Sequence, residues 1–474
     1  MTSNIGSAER PLAVAIVGSG PAGFYLAQPL LKQRDLDVRI DMFDRLPTPY
    51  GLVRGGVAPD HQSIKAVTRV YDKLARDERV RFFGNVTIGS DVTLDELRAH
   101  YDVIAFAVGN EASRRLGIPG EALRGSSAAA VFVGWYNGHP DYREAEFDFS
   151  ARRVVVVGNG NVSIDVARIL ARCTEELSST DIAEHALSAL RESDVREIVV
   201  MGRRGPAQAA FTPAELRELT RLSKVDVLVE RGALELDAQS AAFVESDPRV
   251  TKNIEQLREL GQWSPGDALP EAGGRRIVLR FLCSPVEILG DEQTGRVRAV
   301  ELERNRLVSG GDAEGDYMHP EPTGERETVD AEMVLYAIGY RGRRLPGVPF
   351  DEHAGRIPNV DGRITGEDGK PLGDLYVVGW ARSGPKGLIG THKKGSAEVA
   401  ERILDDVRSG AIPARDLLPL DDVSASLRAR GASFVTFADW LTLDAIEVEK
   451  GQERGAVRHK VADVDEMLEL IRQR

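Results

Sequence analysis

The chain has 474 residues, of which 42% are hydrophobic and 28% are charged. This composition is that of an ordinary globular protein, and the length is more than a single compact core accommodates, so we expect several domains. The formal net charge of -13 argues against a general nucleic-acid binder, because affinity for phosphates needs an excess of lysine and arginine on one face.

The cysteine content limits the chemistry further. Cys173 and Cys283 are the only two cysteines, and they are far apart, so they provide neither a disulfide framework nor a four-thiolate metal site. We therefore predict no metal and a reducing, cytoplasmic location. The N-terminus lacks a basic region followed by an apolar stretch, and no run of about 18 apolar residues occurs. We predict neither secretion nor membrane insertion.

The first predicted elements form a strand, a tight turn and a helix. The apolar run Leu12–Val17 leads into Gly18-Ser19-Gly20-Pro21-Ala22-Gly23, and a helical pattern follows over Ala22–Leu31. Glycines at this place let backbone N–H groups and the helix N-terminus approach a pyrophosphate. A second strand is predicted over Val38–Phe43. Asp44 ends it about twenty residues after the last glycine, where an acid accepts a hydrogen bond from a ribose hydroxyl.

The same pattern returns about 140 residues later, which is roughly one domain length. Strand Arg153–Val157 leads into Gly158-Asn159-Gly160-Asn161-Val162-Ser163, helix Val162–Arg172 follows, and the next strand is Glu197–Met201. Serine replaces the third glycine but the turn is kept. The repeat predicts two dinucleotide-binding domains.

The second strand of this repeat is followed by arginines instead of an acid. Gly202-Arg203-Arg204 stands where the acid is expected, and two cations suit the 2'-phosphate of NADP. The alternative is that the paired arginines form a solvated turn. The position at the strand end favours an NADP site.

Three further strands are predicted, at 102–109, 333–339 and 375–380. We expect each of the first two to close its sheet and lead into a linker. After the third strand a helix is predicted over Gly395–Ile403, so the chain returns to its first domain. Residues 237–274 are polar and weakly patterned, and we expect them to be an excursion on the surface of the second domain.

An acid-type site and an arginine-type site in one chain predict that FAD and NADP(H) both bind, with hydride transfer from nicotinamide to flavin. Many flavoproteins of this architecture reduce a disulfide through a C-x-x-C motif. Cys173 and Cys283 cannot form that motif, which disfavours disulfide reduction.

Several longer segments carry a resemblance to a known family. They are 46–61, with the sequence LPTPYGLVRGGVAPDH, then RRGP at 203–206, FTPAELR at 211–217, Gly379-Trp380, GPKGLIGT at 384–391, and the region of Trp440 and Gly451. Together they resemble the adrenodoxin reductase family of ferredoxin–NADP reductases. The resemblance covers nearly the whole chain.

The resemblance implies a set of cofactor-binding residues. Together with the first glycine turn, the residues expected around FAD are Gly18, Gly20, Ala22, Gly23, Asp44, Leu52, Val86, Trp380, Gly387, Leu388 and Ile389. Those expected around NADP are Gly158, Asn159, Gly160, Asn161, Arg203, Arg204, Glu215 and Gly387, the last near the nicotinamide. Glu215 has an alternative role as a first-turn acid that stabilises a helix N-terminus.

His61 and Asp165 resemble the family's pair near the isoalloxazine, where an imidazole and a carboxylate handle the proton that accompanies flavin reduction. Without the resemblance, Asp165 would be a solvated or dipole-compensating acid and His61 a loop histidine. Three places depart from the family pattern: Tyr50 stands for tryptophan, Asp44 for glutamate, and 382–387 for a lysine-arginine and threonine pattern. Aromatic and acceptor character are kept at the first two, so we expect FAD binding to survive.

These observations predict an α/β protein of two Rossmann-like domains with a glutathione-reductase-like architecture. FAD is assigned to residues 1–112 with 345–474, and NADP to residues 113–344. The expected activity is electron transfer from NADPH through FAD to a ferredoxin-type iron–sulfur protein. Its acidic surface would need a local basic patch, for which Arg217 and Arg221 are candidates.

Two alternatives remain open. One is an electron-input subunit related to glutamate synthase small chains, although the cysteine-rich cluster motifs of such subunits are absent from this sequence. The other is a redox sensor that holds FAD and NADP(H) without sustained turnover.

Overall fold

The computed structural model describes residues 5–309, 318–385, 390 and 392–473. The chain folds into two compact units. The first comprises Met1–Val57, His61–Ala112 and Gly339–Arg474, and the second comprises Ala58–Asp60 and Ser113–Ile338. The domain limits expected from the sequence stay predictions, as does the cofactor assigned to each domain.

The N-terminal part of the first unit alternates strands and helices, as the apolar periodicity predicts. Its strands are β1 (Leu12–Val17), β2 (Val38–Phe43), β3 (Val80–Phe83) and β4 (Val103–Phe106). Its helices are α1 (Pro21–Leu31), α2 (Leu52–Gly55), α3 (Gln62–Lys65), α4 (Thr68–Ala75) and α5 (Leu94–His100). All six residues of β1 are buried, which is typical of a parallel strand covered on both faces.

The short strand β5 (Ala112–Ser113) precedes the second unit. Its strands are β6 (Ser126–Ala128), β7 (Arg153–Val157), β8 (Glu197–Met201), β9 (Val225–Glu230), β10 (Gly261–Trp263), β11 (Arg275–Arg280), β12 (Cys283–Gly290), β13 (Val297–Ser309), β14 (Met318–Asp330) and β15 (Met333–Tyr336). Its helices are α6 (Ala129–Tyr136), α7 (Asn161–Ala171), α8 (Thr174–Ser178), α9 (Glu184–Arg191), α10 (Pro213–Leu219), α11 (Ala238–Ser246) and α12 (Pro248–Arg258), with 3-10 turns at Pro140–Tyr142 and Pro206–Gln208.

The chain then completes the first unit. The remaining strands are β16 (Tyr340–Arg341), β17 (Asn359–Val360), β18 (Arg363–Thr365) and β19 (Pro371–Val377). The remaining helices are α13 (Trp380–Ser383), α14 (His392–Arg408), α15 (Asp421–Ala429), α16 (Phe437–Glu453) and α17 (Val464–Arg472).

Each unit is built on a seven-stranded sheet. In the first unit the order is β17-β18-β19-β4-β1-β2-β3, and in the second it is β10-β9-β11-β8-β7-β15-β6. The strands β19, β4, β1, β2 and β3 are parallel, as are all the pairs of the second sheet. The predicted α/β class with two Rossmann-like sheets is confirmed.

The expectation that strands 102–109 and 333–339 close their sheets was wrong. β4 lies between β19 and β1, and β15 lies between β7 and β6. The error arises because strand order along the chain differs from order in space: β19, from the C-terminal part, returns to pair with β4.

The third late strand also differs from its prediction. It ends at Val377, and Trp380 begins helix α13 instead of continuing the strand. Gly379 takes a φ of 65° between them, a left-handed conformation that reverses the chain and favours glycine. The helix predicted over Gly395–Ile403 exists but is longer, from His392 to Arg408.

Residues 237–274 are more regular than expected. They form α11, α12 and the edge strand β10. In α12 the residues Val250, Ile254 and Leu257 are buried, and this spacing places them on one face of a helix. The apolar residues are few among polar ones, which hid the periodicity.

The three-stranded antiparallel sheet β12-β13-β14 was not predicted. Along β7, the side chains of Val154 and Val156 belong to a core filled mainly by helices, whereas Val155 and Val157 belong to a core that includes apolar residues of this extra sheet. Ile288, Val300 and Leu302 contribute to the second core. The antiparallel sheet therefore covers one face of the parallel sheet in the second unit.

Candidate functional site

The three glycines of the first turn have different roles. Gly18 has a φ of 108°, and a Cβ on it would lie 2.4 Å from the carbonyl oxygen of Ala107. A Cβ on Gly23 would lie 2.4 Å from the carbonyl oxygen of Gly18. A Cβ on Gly20 would meet only the Cα of Gly51, at 3.9 Å. Gly18 and Gly23 are thus needed by the fold, whereas Gly20 leaves open space for a ligand to approach the backbone.

Helix α1 begins at this open space. Its N-cap is Gly20, which makes no side-chain capping hydrogen bond, and no acidic residue lies in the first turn. Pro21 occupies the first helical position, where its missing N–H costs nothing. The N-terminus of α1, including Ala22, therefore keeps its positive end available for an anion such as a pyrophosphate.

Asp44 lies at the end of β2 beside the same turn. Its Oδ2 accepts hydrogen bonds from the backbone N–H of Ser19 at 3.0 Å and from the Ser19 hydroxyl at 2.5 Å, and its Oδ1 accepts one from Leu46 N at 3.0 Å. Burial raises the pKa of Asp44, and these hydrogen bonds act against the rise. A carboxylate has about four acceptor positions, so one remains for a ribose hydroxyl. Ser19 was not predicted as a site residue.

Two further predicted FAD residues lie near the first glycine turn. Val86 is 1% exposed, and its backbone N–H donates to the carbonyl oxygen of Asp44 at 2.9 Å. Leu52 begins α2 directly after Gly51, the residue that faces Gly20. The structure therefore brings Asp44, Leu52 and Val86 to the glycine turn.

Trp380 is held at the other side of α1. A Cβ on Gly379 would lie 2.6 Å from the Cβ of Ala22, so the start of α13 approaches the start of α1 closely. The indole stacks on Tyr340 with centroids 5.6 Å apart and meets His392 edge-on at 6.1 Å.

The Nε1 of Trp380 is buried and has no hydrogen-bond partner among the described residues. A buried donor without an acceptor, beside an uncapped helix N-terminus and the space at Gly20, fits a nucleotide cofactor. Gly387, Leu388 and Ile389, which were also predicted to contact FAD, lie outside the described residues.

The second glycine turn repeats the arrangement. Gly158 has a φ of 133°, and a Cβ on it would lie 2.4 Å from the carbonyl oxygen of Ala337. A Cβ on Gly160 would meet nothing within 4 Å. Ser163 replaces the third glycine and is completely buried. Helix α7 has Gly160 as an N-cap without a side-chain bond and no acid in its first turn, which again suits a pyrophosphate.

Both asparagines of this turn are anchored. The carbonyl oxygen of Asn159 accepts hydrogen bonds from the backbone N–H groups of residues 210 and 211, at 2.8 and 3.1 Å. The Oδ1 of Asn161 accepts one from Thr212 N at 2.9 Å. Thr212 in turn caps α10, since its Oγ1 accepts a hydrogen bond from Glu215 N at 3.4 Å. The turn thus sets the position of Glu215.

Arg203 and Arg204 follow β8, as predicted. Arg203 is exposed, and its guanidinium forms no ion pair with any residue that the structure describes. Arg204 is half-buried. An exposed guanidinium at the carboxyl end of a parallel strand, beside an open glycine turn, is suited to bind a phosphate in two contacts.

Asp165 lies on α7 of the second unit. Its Oδ1 accepts a hydrogen bond from Arg168 Nη2 at 2.6 Å. Burial raises the pKa of Asp165 well above its ordinary value, and the nearby carboxylates of Glu215 and Glu218 raise it further. His61 is 8% exposed and belongs to the first unit, where its carbonyl oxygen starts α3. The pairing of His61 with Asp165 stays a prediction.

Known proteins resemble this chain over nearly its whole length. Residues 12–243 match the family of pyridine nucleotide-disulphide oxidoreductases. The chain is 45% identical to the NADPH-ferredoxin reductase FprA of Mycobacterium tuberculosis, over 97% of this chain and 99% of that protein. It is 41% identical to the mitochondrial NADPH:adrenodoxin oxidoreductase of Salvelinus fontinalis, over 97% of this chain and 91% of that protein. The chain belongs to the adrenodoxin reductase family.

The fold agrees with that assignment. The solved structure of Mycobacterium tuberculosis FprA in complex with NADPH matches with a TM-score of 0.89 and 44% identity, over 98% of this chain and 100% of that chain. The family resemblance predicted from the sequence is confirmed, and so is the classification of the chain as an oxidoreductase.

Both cysteines of the chain are free thiols. Burial raises the pKa of Cys283 to about 12, and Cys283 is completely buried. Cys173 is only half-buried. A dithiol that reduces a disulfide needs two neighbouring cysteines, so the chain lacks the redox pair after which the wider family is named.

The described helices include none with the length and apolar character that a bilayer span requires.

Sequence reasoning missed residues that act through contacts distant in sequence. Ser19 is linked to Asp44 across 25 positions, and Tyr340 stacks on Trp380 across 40. Thr212 had a visible signal, because threonine followed three residues later by glutamate is typical of a helix start. Here its backbone N–H donates to Asn161 instead of to the glutamate.

Proposed function

We propose that the chain is a ferredoxin–NADP reductase that binds FAD in its first unit and NADPH in its second. The observation that carries this proposal is the pair of open glycine turns, each at the end of a buried parallel strand. The strand that pairs with each of these, β2 in the first unit and β8 in the second, is followed by different residues in the two units. Asp44 ends that strand in the first unit, whereas Arg203 and Arg204 follow it in the second. An acid suits a free ribose and arginines suit a 2'-phosphate.

The residues of the first unit hold the flavin nucleotide. Gly20 and the N-terminus of α1, with Ala22, receive the pyrophosphate, while Gly18 and Gly23 shape the turn. Asp44 accepts a ribose hydroxyl. Leu52, Val86 and Trp380 exclude water from the ring system. FAD, when bound, accepts a hydride and gives up its two electrons one at a time. The segment 387–389, which lies outside the described residues, is assigned to the same site on the family resemblance alone.

The residues of the second unit hold and select NADPH. Gly158, Asn159, Gly160 and Asn161 form the turn at the N-terminus of α7, which receives the pyrophosphate. Arg203 and Arg204 bind the 2'-phosphate, which NADH lacks. Glu215 is assigned to the adenosine end of the nucleotide.

His61 and Asp165 are assigned to the proton that accompanies flavin reduction. The raised pKa of Asp165 supports this role, because its carboxyl group holds a proton at a higher pH than an ordinary aspartate does. An imidazole is the side chain best suited to exchange protons near neutral pH. These two residues are proposed from the family resemblance and from the environment of Asp165.

The acceptor is an iron–sulfur protein of the ferredoxin type. The names of the similar proteins, NADPH-ferredoxin reductase and NADPH:adrenodoxin oxidoreductase, support this class of partner. Arg217 is half-buried and Arg221 is exposed in the second unit, so both can contribute to a basic docking patch. The cytoplasmic location stays a prediction.

The proposal is tested on the purified protein. Flavin released by heat is identified as FAD or FMN, and ferredoxin reduction is then followed with NADPH and with NADH at equal concentration. The proposal expects one FAD per chain and NADPH-dependent reduction of the ferredoxin. If NADPH bleaches the flavin but no one-electron acceptor reoxidises it, the chain is a redox sensor and the proposal is wrong.

A further inference from the structure

The backbone of the arginine pair is held from outside its own strand. The carbonyl oxygen of Arg203 accepts a hydrogen bond from the Nδ2 of Asn305 at 3.0 Å. The carbonyl oxygen of Arg204 accepts one from the backbone N–H of Leu282 at 3.1 Å. Each arginine therefore starts from a fixed main-chain position, although the guanidinium of Arg203 is exposed.

Leu282 has an unusual backbone conformation. It joins β11 to β12 with a φ of 53°, a left-handed value that is unfavourable for a leucine and persists only where its surroundings enforce it. Its carbonyl oxygen accepts a hydrogen bond from Asn305 N at 2.8 Å. Asn305 therefore supports both carbonyl contacts: its side chain directly at Arg203, and its backbone N–H through Leu282 at Arg204. A change of the side chain removes only the first of these.

An irregularity of the antiparallel sheet positions Asn305 for these contacts. The ladder between β12 and β13 ends with the pair Cys283 and Arg304, one residue before Asn305. On its other side, Glu303 faces Arg326 but Asn305 faces Pro322. Such irregularities re-aim a side chain out of the regular ladder.

The Nδ2 of the Asn305 side chain donates two hydrogen bonds at this place. Asn305 is 7% exposed, and its Nδ2 donates to the hydroxyl of Ser284 at 2.9 Å as well as to Arg203. A buried amide that uses its Nδ2 in two hydrogen bonds is fixed in one orientation.

We propose that Asn305 is a positioning residue that sets the preference for a 2'-phosphorylated nucleotide. The inference rests on the proposed function of the second unit as an NADPH site. Two guanidinium groups bind one phosphate well only when their backbones are held at the right spacing. If the anchor at Asn305 is lost, the arginine segment relaxes, and binding of the 2'-phosphate weakens more than binding of the rest of the nucleotide.

The test compares two ligands that differ only in that phosphate. Adenosine 2',5'-bisphosphate and 5'-AMP are titrated calorimetrically into the FAD-loaded wild-type protein and the N305L variant, which has a side chain of similar size without donors. The wild type is expected to prefer the bisphosphate. In N305L this preference falls about tenfold, the effect of losing roughly one good hydrogen bond to the anchor. The ratio of kcat/KM for NADPH over NADH falls by a similar factor, mainly through KM.

A second variant and a control separate positioning from stability. N305S shortens the side chain without adding bulk, so it gives the result if N305L does not fold, and its preference falls in the same direction. The control is N137L, because Asn137 is also buried, at 1% exposed, and also donates to a main-chain oxygen, that of Val133 at 3.1 Å, at the end of α6. N137L is expected to lose stability but to keep the wild-type preference for the bisphosphate.

The outcomes distinguish the inference from the proposed function. Folded N305L and N305S proteins with wild-type preference overturn the role of Asn305 and leave the NADPH site intact. A wild-type protein that binds both ligands equally overturns the NADPH assignment and the inference together.

Discussion

Glycine residues of the same sequence pattern have different roles in this protein. Gly18 and Gly158 take positive φ values and press against a neighbouring main chain, whereas Gly20 and Gly160 face open space. A methyl group at the latter two positions would disturb a bound pyrophosphate and not the fold. The roles of these glycines are therefore separable by experiment.

Replacing Gly20 or Gly160 with alanine tests this separation. We expect G20A to weaken FAD binding at least tenfold, about 1.4 kcal/mol, while the apoprotein unfolds at the wild-type temperature. G160A should weaken NADPH binding to a similar extent and leave FAD binding as it is, so each variant serves as the control for the other. The measurements are fluorescence titration of the apoprotein with FAD and titration of the FAD-loaded protein with NADP. Loss of both cofactors in both variants would contradict separate sites.

The exposed guanidinium of Arg203 is predicted to bind the 2'-phosphate. We expect R203A to lower kcat/KM for NADPH about tenfold to a hundredfold, because a charge-assisted hydrogen bond contributes about 1.5–3 kcal/mol. The same variant should change kcat/KM for NADH much less. Arg258 is also exposed, on α12 of the same unit, and R258A is the control. Equal losses with both nucleotides would show that Arg203 does not read the 2'-phosphate.

At the residue scale, the sequence located the candidate site residues that lie next to strand ends, and their roles stay predictions. Asp44, Arg203 and the two glycine turns are found by their spacing alone, because a strand, a turn and a helix are local structures. Ser19 and Asn305 were missed for a different reason. Their contacts join segments 25 and 102 residues apart, and a single sequence carries no signal for such pairs.

At the scale of elements, helix α16 near the C-terminus stabilises helix α2 through a buried ion pair. Glu447 of α16 has a fully buried side chain and accepts hydrogen bonds from Arg54 at 2.5 and 2.8 Å, from Arg458 at 3.0 Å and from Val461 N at 2.9 Å. Burial acts to raise the pKa of Glu447, but Arg54 and Arg458 outweigh it, so its pKa is lowered. The carboxylate thus stabilises the segment that contains Leu52.

Removing this charge should destabilise the first unit. We expect E447Q to lower the free energy of unfolding at pH 7 by about 3 kcal/mol, because Arg54 would keep its charge without a buried partner. Arg458 would keep only its ion pair with Asp444. The measurement is urea denaturation of the purified protein. The control is D35N, which disrupts the exposed pair of Asp35 with Arg408 and should leave stability near that of the wild type.

The pH dependence of the same variant has a defined sign. Glu447 has a lowered pKa in the folded chain and an ordinary value of 4.5 when unfolded. The unfolded chain therefore takes up the proton first as the pH falls. The stabilisation by Glu447 is fully present above 4.5 and is lost progressively as the pH falls from that value through the lower pKa of the folded chain. Wild type and E447Q should converge in stability on acidification. A difference that stays constant as the pH falls well below 4.5 would contradict the role of the charge.

Element order was predicted better than element neighbours. The strands and helices around both glycine turns agree with their predictions within one residue, since their apolar runs are long and regular. The position of β4 and β15 inside their sheets was not predicted, because each pairs with a strand that is distant in sequence: β4 with the later β19, and β15 with the much earlier β6 and β7. The antiparallel sheet was missed since β14 is polar along most of its length, although β13 helps to fill the core of the second unit.

At the scale of the whole molecule, the chain begins and ends in the same unit and builds the other from its middle. The return of the chain was predicted from Leu375–Trp380, whose apolar run has the character of a buried parallel strand. How the two cofactors exchange electrons depends on both units together, and the family membership is what links them to one activity. The reaction with a ferredoxin therefore tests the protein as a whole.

The most direct test is anaerobic stopped-flow mixing of the FAD-loaded protein with NADPH or NADH, followed by mixing with an oxidised ferredoxin. We expect NADPH to reduce the flavin at least tenfold faster than NADH does at equal subsaturating concentration, and cluster absorbance to fall as the flavin is reoxidised. Preference for NADH, or a reduced flavin that does not pass electrons to the ferredoxin, would contradict the assignment.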